Sequence, residues 1–346
     1  MKYLLGSEKD FFDFVDSIKK EDKVGIITHT DLDGIASAIF LEKILESKGV
    51  KVEKILFVYY GFEMFKKPFI DLKKHEINKL FLTDMYADGS DIEGFEKLRK
   101  NFDTFLVDHH PIRPELKNTD NIIKTESADC STLVLYNLAE KVCDMKSWDW
   151  LVCATMIAEF SFNSPENLKF IQERYPKITK KNIFISEPKE TSDKLNSTSV
   201  YYKDRDGLMK VYNLVKKKDF KEIESIHKIV DKEIQRAVRK YDQEAEFYPE
   251  KNLYFAYFKV AFPIASTVST ILSKQDYDKI YIFTTDVEKD MVKFSARNQS
   301  GRENLNLLLR KGIQGLKEAD AGGHEKAAAG SIRREDLNKF KENILR

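Results

Sequence analysis

Short apolar, β-branched runs recur in the first third of the chain, and each ends abruptly at a polar residue. Val24 to Ile27, Leu80 to Leu82 and Phe105 to Val107 are such runs, and each reads as the carboxyl end of a buried strand. Helix-like segments lie between them, among them Gly34 to Gly49 and a charged stretch after the strand-like Val52 to Tyr60. From Lys23 to about Ile123 the alternation predicts a parallel sheet with helices on both faces. Two further helices are expected, Ser131 to Val142, with Ser131 or Asp129 as its cap, and Trp148 to Phe160.

The pattern then changes. Between Asn196 and about Glu250 the chain is rich in Lys, Glu, Asp and Ile and poor in Gly and Pro, which predicts helical connecting structure and not a floppy tether. Strand-like Leu253 to Val260, a helix from Ser266 to Ser273, strands Lys279 to Thr284 and Met291 to Ala296, and a helix from Glu303 to Leu316 follow. The expected organisation is an α/β protein in three parts: an N-terminal parallel-sheet domain over 1–195, a helical connector over 196–249, and a smaller C-terminal α/β domain over 250–346. No internal repeat or low-complexity tract interrupts it.

Composition narrows the picture only modestly. A length of 346 residues with 42% hydrophobic content suits two ordinary cores. No apolar run is long enough to span a bilayer, and the start lacks the apolar core of a signal peptide, so a cytoplasmic location and no membrane partner are expected. Cys130, Cys143 and Cys153 have no metal-type pairing and read as thiols of a reducing compartment. The 58 basic and 57 acidic residues nearly cancel, so net charge alone does not mark a nucleic-acid binder.

Candidate chemistry sits where the apolar runs stop. The three segments are Thr28-His29-Thr30-Asp31-Leu32-Asp33-Gly34, Thr83-Asp84 and Val107-Asp108-His109-His110-Pro111. In an open α/β sheet the carboxyl ends of strands form the ligand edge. Three strands would deliver carboxylates and imidazoles to one crevice, a donor set suited to manganese or magnesium more than to zinc.

These motifs resemble the DHH phosphoesterase superfamily, whose members include RecJ-type exonucleases and small-oligonucleotide phosphodiesterases. A second motif, Gly322-Gly323-His324-Glu325-Lys326-Ala327-Ala328-Ala329-Gly330, resembles the signature of the DHH-associated substrate-binding domain, with Ala321 where a third glycine is more usual. The resemblance implies two metal ions, Mn2+ or Mg2+. Asp31 and Asp84 would serve one together with His29, and Asp33, Asp84 and His109 the other, Asp84 bridging. The family's last ligand is an aspartate after a small apolar helix. Here Ala154 to Ser161 places Glu159 at that position, and its extra methylene would move the carboxylate outward by about one C–C bond length. Asp108 is expected to orient a histidine, His110 to contact phosphate, and His75 and His227 to be solvated.

On the substrate side, the resemblance implies that Arg297, with Asn298 and Arg302 nearby, and the Gly322, Gly323, His324 loop bind phosphate. It implies a two-metal phosphodiesterase acting on single-stranded DNA or RNA to give nucleoside monophosphates. An enzyme for di- to pentanucleotides or cyclic dinucleotides is the first alternative. A noncatalytic RecJ-like replication scaffold, which should have lost metal ligands, is the second. Expected partners are single strands or short oligonucleotides, with replication or repair proteins and a second copy of the chain as further ones.

Overall fold

The computed structural model describes residues 1–61, 63–112, 120–202, 205–287 and 290–346. The chain divides into two compact units, Met1–His227 and Lys228–Arg346. The elements of the first begin with β1 (Tyr3–Leu5), α1 (Glu8–Asp16), β2 (Val24–His29), α2 (Leu32–Ser47), β3 (Val52–Val58), α3 (Lys66–Lys74) and β4 (Lys79–Thr83). They continue with α4 (Ala87–Ser90), α5 (Ile92–Asn101), β5 (Asp103–Asp108), β6 (Ile122–Thr125), α6 (Ser131–Ala139), α7 (Asp149–Ala158), α8 (Pro165–Arg174), α9 (Glu187–Tyr201) and α10 (Arg205–Lys216). Helix α11 (Phe220–Glu244) carries the boundary between the units.

The first unit holds a six-stranded sheet in the order β1-β6-β5-β4-β2-β3. Strands β2 to β6 are parallel and only β1 runs against its neighbour. Alternate residues of each strand feed opposite faces, as a pleat requires. Val24, Ile26, Phe81, Phe105 and Val107 join one apolar cluster, and Ile27, Leu80, Leu82 and Leu106 join the other. This two-sided burial is why the runs read as unbroken apolar strings. Phe11 and Phe14 of α1 pack edge-on against Phe105 and Phe81 at 5.4 and 5.2 Å. Such contacts add about 0.5–1.5 kcal/mol each beyond area burial. They clamp the two strands that lead to Asp84 and His109.

Topology fixes where that site must lie. From β2 the chain crosses to β3 on one side, then returns across β2 to β4 on the other. The connections from β2 and β3 therefore leave in opposite directions, which opens a crevice at the carboxyl ends of β2 and β4. Helix α2 begins immediately beyond β2, and its first turn needs Gly34, since a Cβ there would lie 2.2 Å from the His29 carbonyl oxygen. Most of α2 is buried, as it packs against the sheet, α6 and α7.

The second unit adds β7 (Glu246–Tyr248), β8 (Leu253–Tyr257), α12 (Ala265–Leu272), β9 (Ile280–Asp286), β10 (Met291–Arg297), α13 (Leu305–Gly312), β11 (Asp320–His324), β12 (Ala327–Arg333) and α14 (Leu337–Leu345). Its sheet runs β11-β12-β10-β9-β8-β7, with β8 and β9 parallel and the remaining pairs antiparallel. Phe294, Leu305, Leu309, Phe340 and Ile344 form the core under α13 and α14. The mixed α/β class, with a parallel-sheet N-terminal unit and a smaller C-terminal α/β unit, is as expected. No helix among the described residues is long and apolar enough to cross a membrane.

Candidate metal centre

Strands β5, β4 and β2 lie side by side with Val107, Thr83 and Thr28 in register. The next residue of each is therefore Asp108, Asp84 and His29, aligned along one edge of the sheet. A buried hydroxyl ladder ties the strand ends, with Thr83 Oγ1 donating to Thr28 Oγ1 at 2.8 Å and Thr28 Oγ1 to the Gly34 carbonyl at 2.7 Å.

Asp31 caps α2, its Oδ1 accepting from the Gly34 amide at 3.0 Å. Its other oxygen lies 2.7 Å from His29 Nδ1. Burial works against ionisation there, but the His29 hydrogen bond holds the carboxyl below its ordinary value. Asp33 is fully buried in α2. Both its oxygens accept amides at the start of α6, Ser131 N at 2.9 Å and Thr132 N at 2.8 Å. The expected cap for α6 is thereby corrected. Neither Ser131 nor Asp129 caps it, Cys130 stands at the N-cap without a side-chain bond, and a carboxylate from another helix neutralises the end of the helix dipole.

Asp84 is the most constrained of the set. It sits just past β4 at φ +55°, a left-handed conformation that costs a non-glycine residue energy and clusters at functional sites. Its amide donates to the Val107 carbonyl at 3.0 Å, which fixes it between β4 and β5. The carboxyl is buried, and burial together with the charges of Asp33, Asp31, Asp108 and Glu159 pushes its pKa well above the ordinary range. His109 Nε2 lies 3.5 Å from Asp84 Oδ1 and 3.7 Å from Asp33 Oδ2, and His29 Nδ1 lies 3.8 Å from Asp84 Oδ2. These distances exceed hydrogen-bond length.

Glu159 stands at the end of α7, and burial followed by the Asp33 and Asp31 charges pushes its carboxyl up to about 9. It therefore lies in the field of the same cluster. The structure brings together His29, Asp31, Asp33, Asp84 and His109, with Glu159 near enough to feel the Asp31 and Asp33 charges. His29, Asp31 and Asp84 offer donor atoms within 4.8 Å of one another, and so do Asp84, His109 and His110.

These residues fit divalent ions. Asp84 Oδ2 and His109 Nδ1 are buried and, among the described residues, have no hydrogen-bond partner. Carboxylates that repel one another and a buried acceptor without a donor are what a cation would satisfy.

His110 lies beside this cluster. Its Nδ1 is 2.8 Å from Asp108 Oδ1. Asp108 is buried, and although burial opposes it, the His110 hydrogen bond and the Lys124 charge hold its carboxyl below the ordinary range. Sequence reasoning missed three neighbours. Lys124 is fully buried on β6, 2.7 Å from both Asp108 and Asp88. Tyr86 stacks on the His110 ring at 5.6 Å. Tyr60 lies 4.3 Å from the His29 ring, with its hydroxyl donating to the Asp84 carbonyl at 3.3 Å and 3.2 Å from His110 Nε2. The one available signal was a lysine inside the apolar run Ile122-Ile123-Lys124, since a buried lysine needs a carboxylate.

In the second unit, Arg297 ends β10 opposite Ala327, which in turn stands opposite His324. Directly opposed residues share a face, so Arg297 and His324 lie on one side of the sheet, two strands or roughly 10 Å apart. Ala327, Ala329 and Gly322 occupy that side between and behind them and leave it open. The guanidinium is held by Ser266 Oγ at 2.7 Å, Thr270 Oγ1 at 3.2 Å and the Ala296 carbonyl at 2.9 Å. Among the described residues it has no acidic partner, and burial lowers its pKa. His324 is exposed, beside Gly323, Lys326 and Asn304 in a shallow depression.

Two expectations change here. The Gly322, Gly323, His324 segment is not a loop but the end of β11, closed onto β12 by a tight turn at Glu325 and Lys326. Gly323, at φ +141°, is needed there because a Cβ would lie 2.4 Å from the Ala327 carbonyl oxygen. Asn298 is buried, with Nδ2 on the carbonyls of Asp278 and Lys279 at 3.2 and 3.1 Å and Oδ1 accepting from the Gly301 amide at 2.8 Å. Its side chain holds the 298–301 turn and has nothing left to offer a ligand. Arg302 pairs with Asp278 at 3.3 Å.

Residues 23–183 match the model of the DHH family, N-terminal domain, and residues 251–346 match that of the DHHA1 domain. The chain belongs to the DHH phosphoesterase superfamily. No curated protein matches it by sequence. Among solved structures it is similar to RecJ from Thermus thermophilus in complex with Mn2+, with a TM-score of 0.70 at 14% identity over 98% of this chain and 54% of that one. The chain thus spans about half the length of that protein. It is also similar to an exonuclease RecJ bound to manganese, with a TM-score of 0.71, 15% identity and coverage of 97% and 92%. CDC45 from Entamoeba histolytica aligns with a TM-score of 0.59, 12% identity and coverage of 98% and 97%. At these identities the likeness is one of fold.

Proposed function

We propose that the chain is a manganese-dependent phosphodiesterase of the cytoplasm that hydrolyses single-stranded DNA or RNA to nucleoside monophosphates. The observation that carries this reading is Asp84, a strained, buried carboxylate among other carboxylates, with one oxygen lacking a partner. No fold-stabilising role accounts for that arrangement. His29, Asp31 and Asp84 would hold one ion, Mn2+ or Mg2+, and Asp33, Asp84, His109 and Glu159 a second. Ions bound there would offset negative charge on the oxygens of a phosphodiester.

The chain's own groups do the rest. Asp108 accepts from Nδ1 of His110 and favours the charged ring, whose Nε2–H can hydrogen-bond a phosphate oxygen or protonate the leaving oxygen once the Tyr60 hydroxyl yields. Arg297 and His324, on one open face of the C-terminal sheet, bind a substrate phosphate. Guanidinium without a carboxylate partner is suited to bidentate phosphate recognition. The noncatalytic scaffold reading requires lost ligands; most of the set is kept here, and Glu159 in place of the family's usual aspartate is that reading's only support.

The test is incubation with Mn2+ and end-labelled single strands of graded length, with products resolved. Stepwise release of mononucleotides from long strands supports the reading. Cleavage confined to di- to pentanucleotides or cyclic dinucleotides would replace it with the short-substrate alternative, and no cleavage of any strand would remove it.

A further inference from the structure

We infer that Lys124 is a positioning residue that fixes the His110 imidazole through Asp108 and Tyr86, an assignment that rests on the phosphodiesterase reading above. Lys124 lies on β6, all four residues of which are buried, and its ammonium is fully buried. A buried ammonium loses its hydration and must be repaired by hydrogen bonds and opposite charge. Here the repair converges on one residue. Lys124 Nζ donates to Asp108 Oδ2 at 2.7 Å, and Asp108 Oδ1 holds His110 Nδ1 at 2.8 Å. The same ammonium contacts the main-chain carbonyls of His110 at 3.4 Å and Pro111 at 3.3 Å. It also stands 5.4 Å from the centre of the Tyr86 ring, which stacks on the His110 ring at an interplanar angle of 22°.

His110 is thus gripped at Nδ1, on one ring face and at its backbone, and one cation touches all three grips. Asp88 Oδ1, 2.7 Å from Nζ, supplies the second carboxylate that keeps the ammonium in place. A buried ion pair serving only the fold would be replaceable by apolar packing. This one is spent on the segment that carries His110. Its consequence is a ring with Nδ1–H committed to Asp108 and Nε2 left as the reactive edge, the tautomer being set by the bond at the other nitrogen.

The experiment compares wild type, Lys124→Met, and the paired Lys124→Met/Asp88→Asn variant, which removes the cation together with the carboxylate not linked to His110. Histidine-selective 15N NMR of the metal-free full chain, recorded at a pH high enough for the ring to be neutral, should show His110 in one fixed tautomer with Nδ1 protonated, and tautomer averaging in both variants. With oligonucleotide and Mn2+, kcat should fall about 10- to 100-fold, the usual loss when a residue that orients a functional histidine is removed. KM and Mn2+ affinity should be unchanged, and Lys124→Met should have no further effect on kcat in a His110→Ala background. A fixed tautomer retained in the variants, an additive loss in that background, or unfolding of both variants would overturn the assignment and leave Lys124 a fold residue. The NMR result needs neither metal nor turnover. It decides the role of Lys124 even if the proposed activity fails.

Discussion

Replacing Glu159 by Gln should make the metal-free protein more stable, by an amount that grows with pH. The Glu159 carboxyl is pushed from 4.5 up to about 9, first by burial and then by the Asp33 and Asp31 charges. A carboxyl whose folded pKa is raised contributes stability below its unfolded value and loses it progressively as pH rises toward the folded value. At pH 7.5 the unfolded chain ionises Glu159 while the folded chain keeps it protonated, so folding must take up a proton. The three pH units above 4.5 correspond to at most about 4 kcal/mol, at about 1.4 kcal/mol per unit. Glutamine carries no such cost. At pH 5 the same term is below about 1 kcal/mol. Urea denaturation of EDTA-treated wild type and variant at the two pH values measures the difference directly. Saturating Mn2+ should reverse the ranking, because wild type gains ligand-linked stability that the variant lacks. A variant that is equally destabilised at both pH values would refute the reasoning and make Glu159 an ordinary helix-end residue.

Other substitutions separate the parts of the site. Asp84→Ala should abolish turnover, since both ions lose a ligand, and residual activity above a few per cent would remove the bridging assignment. Glu159→Asp should keep or raise manganese-dependent activity while Glu159→Ala lowers metal occupancy; unchanged metal content in both, by calorimetry, would reassign the residue. Arg297→Ala or His324→Ala should cost about 1–3 kcal/mol in kcat/KM on oligonucleotides, the range for charge-assisted hydrogen bonds. A small chromogenic phosphodiester should be hydrolysed nearly as before, and equal losses on both substrates would contradict a separate phosphate site.

The parallel sheet was legible because strands covered on both faces leave unbroken apolar runs, and the site was legible because each run stops at a carboxylate or histidine. What the sequence could not supply was partnership across the fold. Asp33 reads as a turn residue or ligand, yet it also caps α6 from nearly a hundred positions away, a contact with no local signature. Asn298, one residue past Arg297, looked like a phosphate contact because chain proximity was the only guide, and its burial in the 298–301 turn sends it elsewhere. The glycines of the C-terminal motif suggested a loop, whereas Gly323 serves a strand end that turns too sharply for a Cβ. Lys124 was passed over because strand propensity says nothing of which carboxylates will surround a lysine.

The most direct measurement is a titration of metal-stripped protein with Mn2+, calorimetry and hydrolysis of an end-labelled single strand being followed on the same samples. Two ions should bind per chain, with turnover rising as the second site fills and both binding events weakened by Asp84→Ala. Two bound ions without hydrolysis of any strand, or hydrolysis that persists after the metal is stripped, would contradict the two-metal phosphodiesterase.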